Sequence, residues 1–309
     1  MAAQQETTGD FADKQFSEAE VADKVLEQYS EEHARTFYKY VMGGGGYDIH
    51  YGIFKKPSDG VYESSKATNA AIMETMDRTK ALTPESYVLD LGSGHGGLSH
   101  ELAKKYGCSV VSFNISPEQN AMNEAEAKAL GVGDLITVVE GNFNVDFPPK
   151  AYADAEKKFT HVVSCEVFCH AASKPALLSG IYDMLAPGGV LVFTDIMGAD
   201  GADEKALKDF TDRNATTEMA RPSGYRAQLA DANFAHVSFW DGSYNLEFYF
   251  KAMLEVCTSK GDDMVSEGVP RPYLEKWIAA LTDRVKIESE KHVFAWGIFS
   301  ARKPGPVFP

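Results

Sequence analysis

Three glycines at fixed spacing and one aspartate form the part of the chain with the clearest capacity for chemistry. In the stretch VLDLGSGHGG, Gly92, Gly94 and Gly97 follow the pattern G-x-G-x-x-G, and Asp90 stands two residues before the first of them. Glycines placed after a strand let the backbone approach a nucleotide closely. A carboxylate at the strand end can reach an amino group of the same ligand. This spacing predicts a nucleotide-type ligand at the end of the first strand.

The residue that separates dinucleotides from other nucleotides lies about 20 positions further on. Nicotinamide-dependent enzymes place Asp or Glu at the end of the second strand, where the carboxylate binds the ribose hydroxyls. This chain has Asn114 there, in FNIS. Together with Asp90 and a LAPGG turn before a later strand, this exchange disfavours a nicotinamide-dependent oxidoreductase.

A separate run of four glycines at positions 43–46 also resembles a phosphate-binding loop. Such loops follow a strand and open a helix. The stretch before these glycines, EEHARTFYKYV, has the pattern of a helix instead. The context argues against phosphate binding and leaves another role for the glycines.

Alternating strands and helices, from about Thr83 to Asp195, would position these residues. Apolar runs predict five strands in SYVLDLG, SVVSFNIS, LITVVEGNF, FTHVVSCEVF and GGVLVFTDIM, and two later strands in AHVSFWDGSY and VFAWGIFSARK. Strands that alternate with helices imply a parallel sheet covered on both faces. Amphipathic spacing between the two late strands predicts helices that cap the binding edge of the sheet.

Composition and charge exclude several classes of partner. The 309 residues are 44% hydrophobic, enough for one large domain or a core with a smaller cap. A net charge of −15 argues against nucleic acid or an anionic membrane surface as partner. No apolar run approaches the roughly 18 residues of a membrane span. The acidic first thirty residues lack the apolar core of a signal sequence.

The four cysteines indicate a reducing compartment. Cys108, Cys165, Cys169 and Cys257 form no paired framework, so the chain is predicted to be cytoplasmic. Cys165, Cys169 and His170 lie close in sequence, but no second ligand cluster follows. We therefore predict no metal site.

Several longer strings resemble a known family. VLDLGSGHGG, followed by LAPGG before VLVFTD, is similar to the class I S-adenosylmethionine-dependent methyltransferases. FYKYVMGGGGYDIHYGIF, FNISPEQNAMN, FTDIM and AWGIF resemble the sarcosine/dimethylglycine N-methyltransferases, which make glycine betaine. Matching blocks run from about Phe37 to Lys303. The resemblance implies S-adenosyl-L-methionine as cofactor, S-adenosyl-L-homocysteine as product, and a small-molecule acceptor bound by a monomer or homodimer.

The resemblance also completes the expected organisation. The fold class is α/β: a Rossmann-like, doubly wound, mostly parallel seven-stranded sheet with an N-terminal helical lid and a C-terminal helical cap. The segments are an acidic terminus (1–33), the lid (34–80), the cofactor-binding core (81–200), the late strands with the substrate cap (201–303) and a tail (304–309). In this arrangement the four glycines let the lid turn without steric penalty.

Site residues follow by position within the matching motifs. The resemblance implies cofactor contacts from Tyr40, Asp90, Gly92, Ser93, Gly94, Asn114, Ile115, Gln119, Asn142, Phe143 and Glu166. Within this set, Asn114 and Gln119 would bind the ribose hydroxyls, Asn142 and Phe143 would flank the adenine, and Glu166 would face the transferred methyl group.

Catalysis and acceptor binding draw on a second set. An amine must reach the methyl group as a neutral lone pair, so His170, His50 and Tyr38 are the candidate bases. Aromatic faces attract onium groups, which selects Tyr51, Trp240 and Tyr249 with the further candidates Tyr38, Tyr40, Tyr47 and Tyr244. An acceptor carboxylate needs a guanidinium, for which Arg213 and Arg226 are chosen, with Arg221 beside them.

Three departures from the family pattern fall where the acceptor should bind. Met42, the four glycines and Tyr47 replace Trp-Gly-Gly and an acidic pair; Cys165 and Glu166 replace Gln-Asp; Phe248, Tyr249 and Phe250 replace His-Tyr-Ser. The first choice of activity is N-methylation of sarcosine and dimethylglycine. The alternative is S-methylation of a thioether carboxylic acid, such as methylthio-hydroxybutyrate, in dimethylsulfoniopropionate synthesis. A cofactor-binding subunit without turnover is a third reading that the sequence allows.

Overall fold

A single seven-stranded sheet forms the centre of the described part of the chain. The computed structural model describes residues 31–46, 48–145, 147–213 and 219–305. The strands are β1 (Tyr87–Leu91), β2 (Ser109–Asn114), β3 (Ile136–Glu140), β4 (Phe159–Cys165), β5 (Leu185–Gly198), β6 (Ala235–Asp241) and β7 (Phe294–Arg302). Their order in the sheet is β3-β2-β1-β4-β5-β7-β6. β1 to β5 pair in parallel, and β7 is antiparallel to both β5 and β6. The predicted Rossmann-like, doubly wound, mostly parallel sheet is confirmed.

Helices cover both faces of this sheet. They are α1 (Glu32–Val41), α2 (Val61–Thr79), α3 (Gly97–Tyr106), α4 (Pro117–Ala129), α5 (Lys150–Ala153), α6 (Lys174–Met184), α7 (Glu204–Arg213), α8 (Pro222–Asp231), α9 (Asn245–Ser259), α10 (Gly261–Ser266) and α11 (Arg271–Lys291). Side chains alternate between faces along a strand, so Val88 packs in the cluster with α2 and α3, whereas Leu89 packs in the cluster with α6 and α8.

The order of the strands creates the crevice in which a ligand can bind. β2 lies on one side of β1 and β4 on the other, so the chain reverses its direction of winding at β1. Loops that follow β1 and β4 therefore diverge to opposite faces and leave a crevice outside the carboxyl ends of the strands. Asp90 and the first glycines lie at this edge.

The N-terminal segment packs against the C-terminal helices rather than against the sheet alone. α1 contacts α9 and α10, and its buried Phe37 and Val41 join their core. The glycine run ends α1: Gly43 donates its N–H to Tyr38 O and Gly45 donates to Lys39 O. Gly44 has φ +55°, and a Cβ there would lie 2.7 Å from the backbone nitrogen of Tyr62. The run is thus a tight helix end, as its context indicated.

One boundary differs from the sequence-based expectation. The stretch LAPGG was expected to be a turn before the strand GGVLVFTDIM, but α6 ends at Met184 and β5 already begins at Leu185, which pairs with Phe159. The register shifts between Phe159 and His161, which lets the irregular turn remain part of the strand pair. The terminal segments predicted at 1–33 and 304–309 lie largely outside the described residues. Across the described ranges, no helix combines the length and the apolar character that crossing a bilayer requires.

Candidate active site

A cleft opens at the carboxyl ends of β1, β2 and β4. It encloses about 1000 Å³ that no protein atom occupies, its open mouth included. Twelve of the predicted site residues line it: His50, Asp90, Gly92, Ser93, Gly94, Asn114, Ile115, Gln119, Asn142, Phe143, Glu166 and His170. Residues from four separate strand ends and from the N-terminal segment therefore meet at one place.

Asp90 is the buried carboxylate at the base of the cleft. Its Oδ2 accepts a hydrogen bond from Ser99 Oγ at 2.6 Å, and Ser99 Oγ lies 2.8 Å from Ser112 Oγ. Burial raises the pKa of Asp90 to about 6, the Ser99 hydroxyl opposes that rise, and nearby Asp48 adds to it. A carboxylate that is this poorly solvated gains from a positively charged or N–H-bearing ligand.

The loop between β1 and α3 needs glycine for close packing. Gly92 has φ +80°, and a Cβ there would lie 2.4 Å from the Val167 side chain. The backbone at Gly92 can therefore lie against the loop that follows β4 only because the side chain is absent. The buried Oγ of the adjacent Ser93 has no hydrogen-bond partner among the described residues. A ligand in the cleft would satisfy this hydroxyl.

Two amides, Asn114 at the end of β2 and Gln119 in the first turn of α4, present complementary groups to the cleft. Asn114 donates through Nδ2 to Gln119 Oε1 and to Asn120 Oδ1, both at 3.2 Å. These hydrogen bonds occupy the N–H groups of the Asn114 amide and the oxygen of the Gln119 amide. Within the described chain, Asn114 Oδ1 and Gln119 Nε2 stay available for a ligand, and both residues line the cleft. An acceptor and a donor side by side suit a pair of hydroxyl groups.

Asn142 and Phe143, after β3, form another wall of the cleft. Asn142 Oδ1 accepts from the Asn144 backbone N–H at 2.9 Å. Asn144, a residue that the sequence did not single out, donates Nδ2 to His170 O and accepts from Ala172 N–H, each at 2.9 Å. Asn144 thus connects the loop after β3 to the loop that carries His170.

Glu166 and His170 follow β4 and are both buried. Glu166 Oε1 accepts a hydrogen bond from Trp296 Nε1 at 2.5 Å. Burial and the neighbouring Asp195 carboxylate raise the pKa of Glu166 to about 8, although the hydrogen bond from Trp296 and the nearby Thr194 hydroxyl lower it. Burial and the nearby Lys174 ammonium lower the pKa of His170 to about 4. At neutral pH the His170 ring is therefore uncharged.

His50 lines the cleft, but both of its ring nitrogens are occupied. Nδ1 lies 3.0 Å from Tyr51 O and Nε2 lies 2.9 Å from Asn69 Oδ1. The Asn69 oxygen is the acceptor because Asn69 Nδ2 donates to Asp48 Oδ1 at 2.9 Å. Both ring nitrogens are thus engaged by protein oxygens. His50 therefore has no free nitrogen with which to act as a base.

Asp48 was missed in the sequence and anchors the same wall. It is buried, lines the cleft, and accepts from Lys66 Nζ at 2.7 Å. Lys66 also pairs with Glu101 at 2.6 Å, which joins the N-terminal segment to α2 and α3. Burial opposes ionisation of Asp48, but His50, Lys66 and Asn69 together hold its pKa below the ordinary value. The signal available was the acidic pair that the related family carries after its glycines.

The structure corrects the placement of three predicted tyrosines. Tyr38 is buried and packs edge-on against Trp277, with ring centroids 5.8 Å apart. Tyr51 packs against Tyr249 at 5.0 Å. The Tyr249 hydroxyl lies 2.7 Å from His50 O and 3.2 Å from Met42 O. None of them lines the cleft; they are core residues in the packing of the N-terminal segment against α9 and α11.

The remaining predicted contacts also lie elsewhere. Tyr40 donates its hydroxyl to Glu267 at 2.6 Å. Trp240 is 41% exposed on the edge strand β6, and Arg226 is exposed on α8. Arg221 bonds the carbonyls of Ala199 and Ala202 instead of a ligand. Tyr47 and the Arg213 side chain lie outside the described part of the chain.

Comparisons with known proteins agree with this site. Residues 65–243 match a family described as a methyltransferase domain. The chain is 32% identical over 276 residues to a sarcosine/dimethylglycine N-methyltransferase from Halorhodospira halochloris, covering 89% of this chain and 94% of the relative. A solved structure from Galdieria sulphuraria, assigned as a sarcosine dimethylglycine methyltransferase, has a TM-score of 0.80 at 25% identity and covers 90% of this chain and 100% of that one. Haemonchus contortus phosphoethanolamine N-methyltransferase 2, solved with S-adenosyl-L-methionine, shares the fold, with a TM-score of 0.73 at 16% identity over 92% of this chain and 60% of that one.

The groups around the cleft fit S-adenosyl-L-methionine. The Ser93 hydroxyl has no described partner, and the Asn114 and Gln119 amides offer an acceptor and a donor that suit ribose hydroxyls. The Asp90 carboxylate suits an amino group, and Phe143 adds an aromatic face. The chain is therefore an S-adenosyl-L-methionine-dependent methyltransferase and belongs to the sarcosine/dimethylglycine N-methyltransferase family.

Proposed function

We propose that the protein methylates the amino nitrogen of sarcosine and dimethylglycine and so produces glycine betaine. The observation that carries this proposal is the similarity to the Halorhodospira halochloris enzyme along 89% of the chain. The acceptor would bind where the loop after β4 meets the N-terminal segment, beside Glu166, His170 and His50. This end of the cleft adjoins the cofactor residues Asp90 and Ser93.

The charges of the cleft suit the ammonium group of an acceptor. Within the described part of the chain, no lysine or arginine lines the cleft, whereas three carboxyl groups do, namely Asp48, Asp90 and Glu166. Glu166 is our candidate for the group that binds the acceptor ammonium.

The cofactor supplies an activated methyl group on a sulfonium, and the protein supplies position. An in-line displacement needs the acceptor lone pair about 3 Å from the methyl carbon. Buried walls on either side hold the acceptor: Asn144 fixes the loop of His170, and Lys66 fixes Asp48 beside His50. We assign to these contacts the exclusion of water and the orientation of the acceptor.

Two parallel sets of acceptors test the proposal. Purified protein is incubated with methyl-labelled S-adenosyl-L-methionine and either sarcosine and dimethylglycine or thioether carboxylic acids, and products are identified by mass spectrometry. We expect label on the amines only. Label on the thioethers only would overturn the proposal and favour the S-methylation alternative.

The cellular compartment and the oligomeric state are proposed from less specific observations. All four cysteines are free in the structure, which suits a reducing cytoplasm. We propose that the enzyme acts there on a small molecule, as a monomer or homodimer. Size-exclusion chromatography with light scattering distinguishes these two states.

A further inference from the structure

We propose that Glu166, through its Oε2 atom, receives the proton that the acceptor ammonium must lose before methyl transfer. This assignment rests on the proposed N-methylation and deepens it. It gives the role of base to a residue that was expected only to face the transferred methyl group, and it makes His170 a positioning residue.

The two carboxyl oxygens of Glu166 have different surroundings. Oε1 accepts from Trp296 Nε1 at 2.5 Å, a contact that spans 130 residues and holds the carboxyl group in place. Oε2 is buried and accepts no hydrogen bond of normal geometry within the described residues. Since the residue lines the cleft, an N–H donor bound there would satisfy Oε2. A buried carboxylate oxygen without a hydrogen-bond donor destabilises the folded protein.

The backbone supports a functional reading of this position. Glu166 has φ +57°, a left-handed conformation that is uncommon for a residue with a side chain. Such conformations persist where the surrounding structure imposes them, and they cluster at active sites. Here the turn takes the chain out of β4 and directs the next residues into the 3-10 turn Phe168–His170.

The electrostatic setting makes Glu166 a better proton acceptor than the histidines. Burial and Asp195 raise its pKa to about 8, close to the working pH of a general base. His170 has a pKa of about 4, so its basicity is too low to hold an amine proton. His50 has both nitrogens engaged.

The titratable and charged groups around Glu166 come from every element packed on it. They are Cys165 on β4, Cys169 and His170 on the following turn, Asp195 on β5, Lys174 on α6, Tyr225 on α8 and Tyr249 on α9. Burial raises the pKa of both cysteines and both tyrosines, so these four groups stay neutral near pH 8. Asp195, whose pKa is about 6, is the charged neighbour that acts on Glu166.

The step balances in protons and electrons. The ammonium proton moves to Glu166 Oε2, which leaves a lone pair on nitrogen. That pair forms the new N–CH₃ bond while the CH₃–S bond breaks, and sulfur keeps the bonding electrons as a neutral thioether. With dimethylglycine the product is a quaternary ammonium, which carries no proton. Glu166 returns its proton to solvent as the product leaves.

Glu166→Gln is the first variant to measure, because it keeps an acceptor for Trp296 Nε1 but cannot take a proton. We expect kcat for dimethylglycine to fall about 10²- to 10³-fold. Measuring the cofactor Kd of the same variant by calorimetry separates a loss in the chemical step from weaker cofactor binding. The wild-type kcat should rise with pH through about 8, and that rise should be absent from the variant.

A pair of substitutions around Glu166 tests the base role without removing it. Asp195→Asn removes the charge that raises its pKa, so the midpoint of the kcat profile should move down by about one pH unit. Thr194→Val removes a hydroxyl that lowers its pKa, so the midpoint should move up. A purely structural role predicts no opposite shifts, and melting temperatures show that each variant is folded.

The outcomes separate this inference from the proposed function. Amine methylation by the wild type, with an unchanged kcat and pH profile in Glu166→Gln, overturns the role of Glu166 alone. If the pH midpoints of kcat do not move in Asp195→Asn and Thr194→Val, the role of Glu166 as the base is also overturned. A wild type that methylates only thioethers overturns both, because a thioether has no proton to lose.

Discussion

Burial of the Asp90 carboxylate destabilises the folded protein, but the same carboxylate favours binding of the cofactor. Its side chain is buried, it has Ser99 as hydrogen-bond donor, and its pKa is about 6. Asp90→Asn removes the charge that suits the amino group of the cofactor. A hydrogen bond to a charged group contributes roughly 1.5–3 kcal/mol, so we expect the cofactor Kd to rise about 10- to 100-fold in calorimetry.

The same variant should not destabilise the cofactor-free protein. Removing a buried negative charge eliminates its desolvation cost, so the melting temperature at pH 8 should be unchanged or higher. Asp231→Asn, at an exposed site on α8, is the matched control and should alter neither quantity. An unchanged Kd for Asp90→Asn would mean that this carboxylate does not contact the cofactor.

Which site residues the sequence could predict depends on how far apart they lie along the chain. Asp90, Asn114 and Asn142 stand at or just after the ends of apolar runs, and parallel strands bring those ends together. The contact of Glu166 with Trp296 could not be predicted this way, because no local pattern relates residues 130 positions apart. The core positions of Tyr38, Tyr51 and Tyr249 could not be predicted for a related reason, since a tyrosine in an amphipathic stripe packs equally well in a core.

At the level of elements, α2 and the cap helix α9 together hold the N-terminal segment over the cleft. Asn245 Oδ1 accepts from Phe54 N–H at 2.9 Å, and the Tyr249 hydroxyl contacts the carbonyls of His50 and Met42. Both bonds come from α9. The departure at Phe248–Tyr249–Phe250 therefore affects the closing of the cleft rather than direct contact with the acceptor.

Tyr249→Phe should loosen this closure without changing the shape of the core. Loss of a buried hydroxyl donor costs about 1–2 kcal/mol, so we expect a melting temperature lower by several degrees. Because His50 lines the cleft, the KM for cofactor should rise about fivefold to tenfold. Tyr244→Phe, at a residue 61% exposed just before α9, makes the same chemical change and should be silent. Equal effects of Tyr249→Phe and Tyr244→Phe on KM and melting temperature would contradict the role of the Tyr249 hydroxyl in holding the N-terminal segment over the cleft.

The spacing of apolar residues predicted which helices and strands exist better than it predicted where they begin and end. The strands and α1 were recognised because apolar spacing and turn residues are local signals. The start of β5 was misjudged because LAPGG carries helix-stop residues, yet pairing of Leu185 with Phe159 outweighs them. The glycine run shows the reverse case, in which the local pattern correctly predicted that a helix rather than a strand precedes the glycines.

Across the whole molecule, the buried acids near the cleft link ligand binding to proton binding. Asp90 and Asp195 have pKa values of about 6 and Glu166 has one of about 8, burial being the main cause for each. A ligand with sulfonium and ammonium groups favours the ionised forms. In its absence, the folded protein therefore holds protons that the unfolded chain releases at the same pH.

This difference predicts how stability depends on pH in the cofactor-free protein. The pKa of Glu166 is raised from 4.5 to about 8, so folding binds a proton between these values. The free energy of unfolding from this group is complete below pH 4.5 and falls as pH rises, by about 1.4 kcal/mol per unit. Neutral buried histidines, such as His170, titrate in part of the same range with the opposite sign. Comparison with Glu166→Gln removes their contribution.

Denaturant unfolding at several pH values between 6 and 8 measures the effect. We expect the stability of the wild type, relative to Glu166→Gln, to decrease by roughly 2–3 kcal/mol across this range. Glu255→Gln, at an exposed site on α9, should give a curve parallel to the wild type. A constant difference between wild type and Glu166→Gln would show that this carboxyl ionises alike in folded and unfolded chains. The same result would remove the electrostatic basis for assigning Glu166 as the base, since a carboxylate with an ordinary pKa would hold an amine proton too weakly.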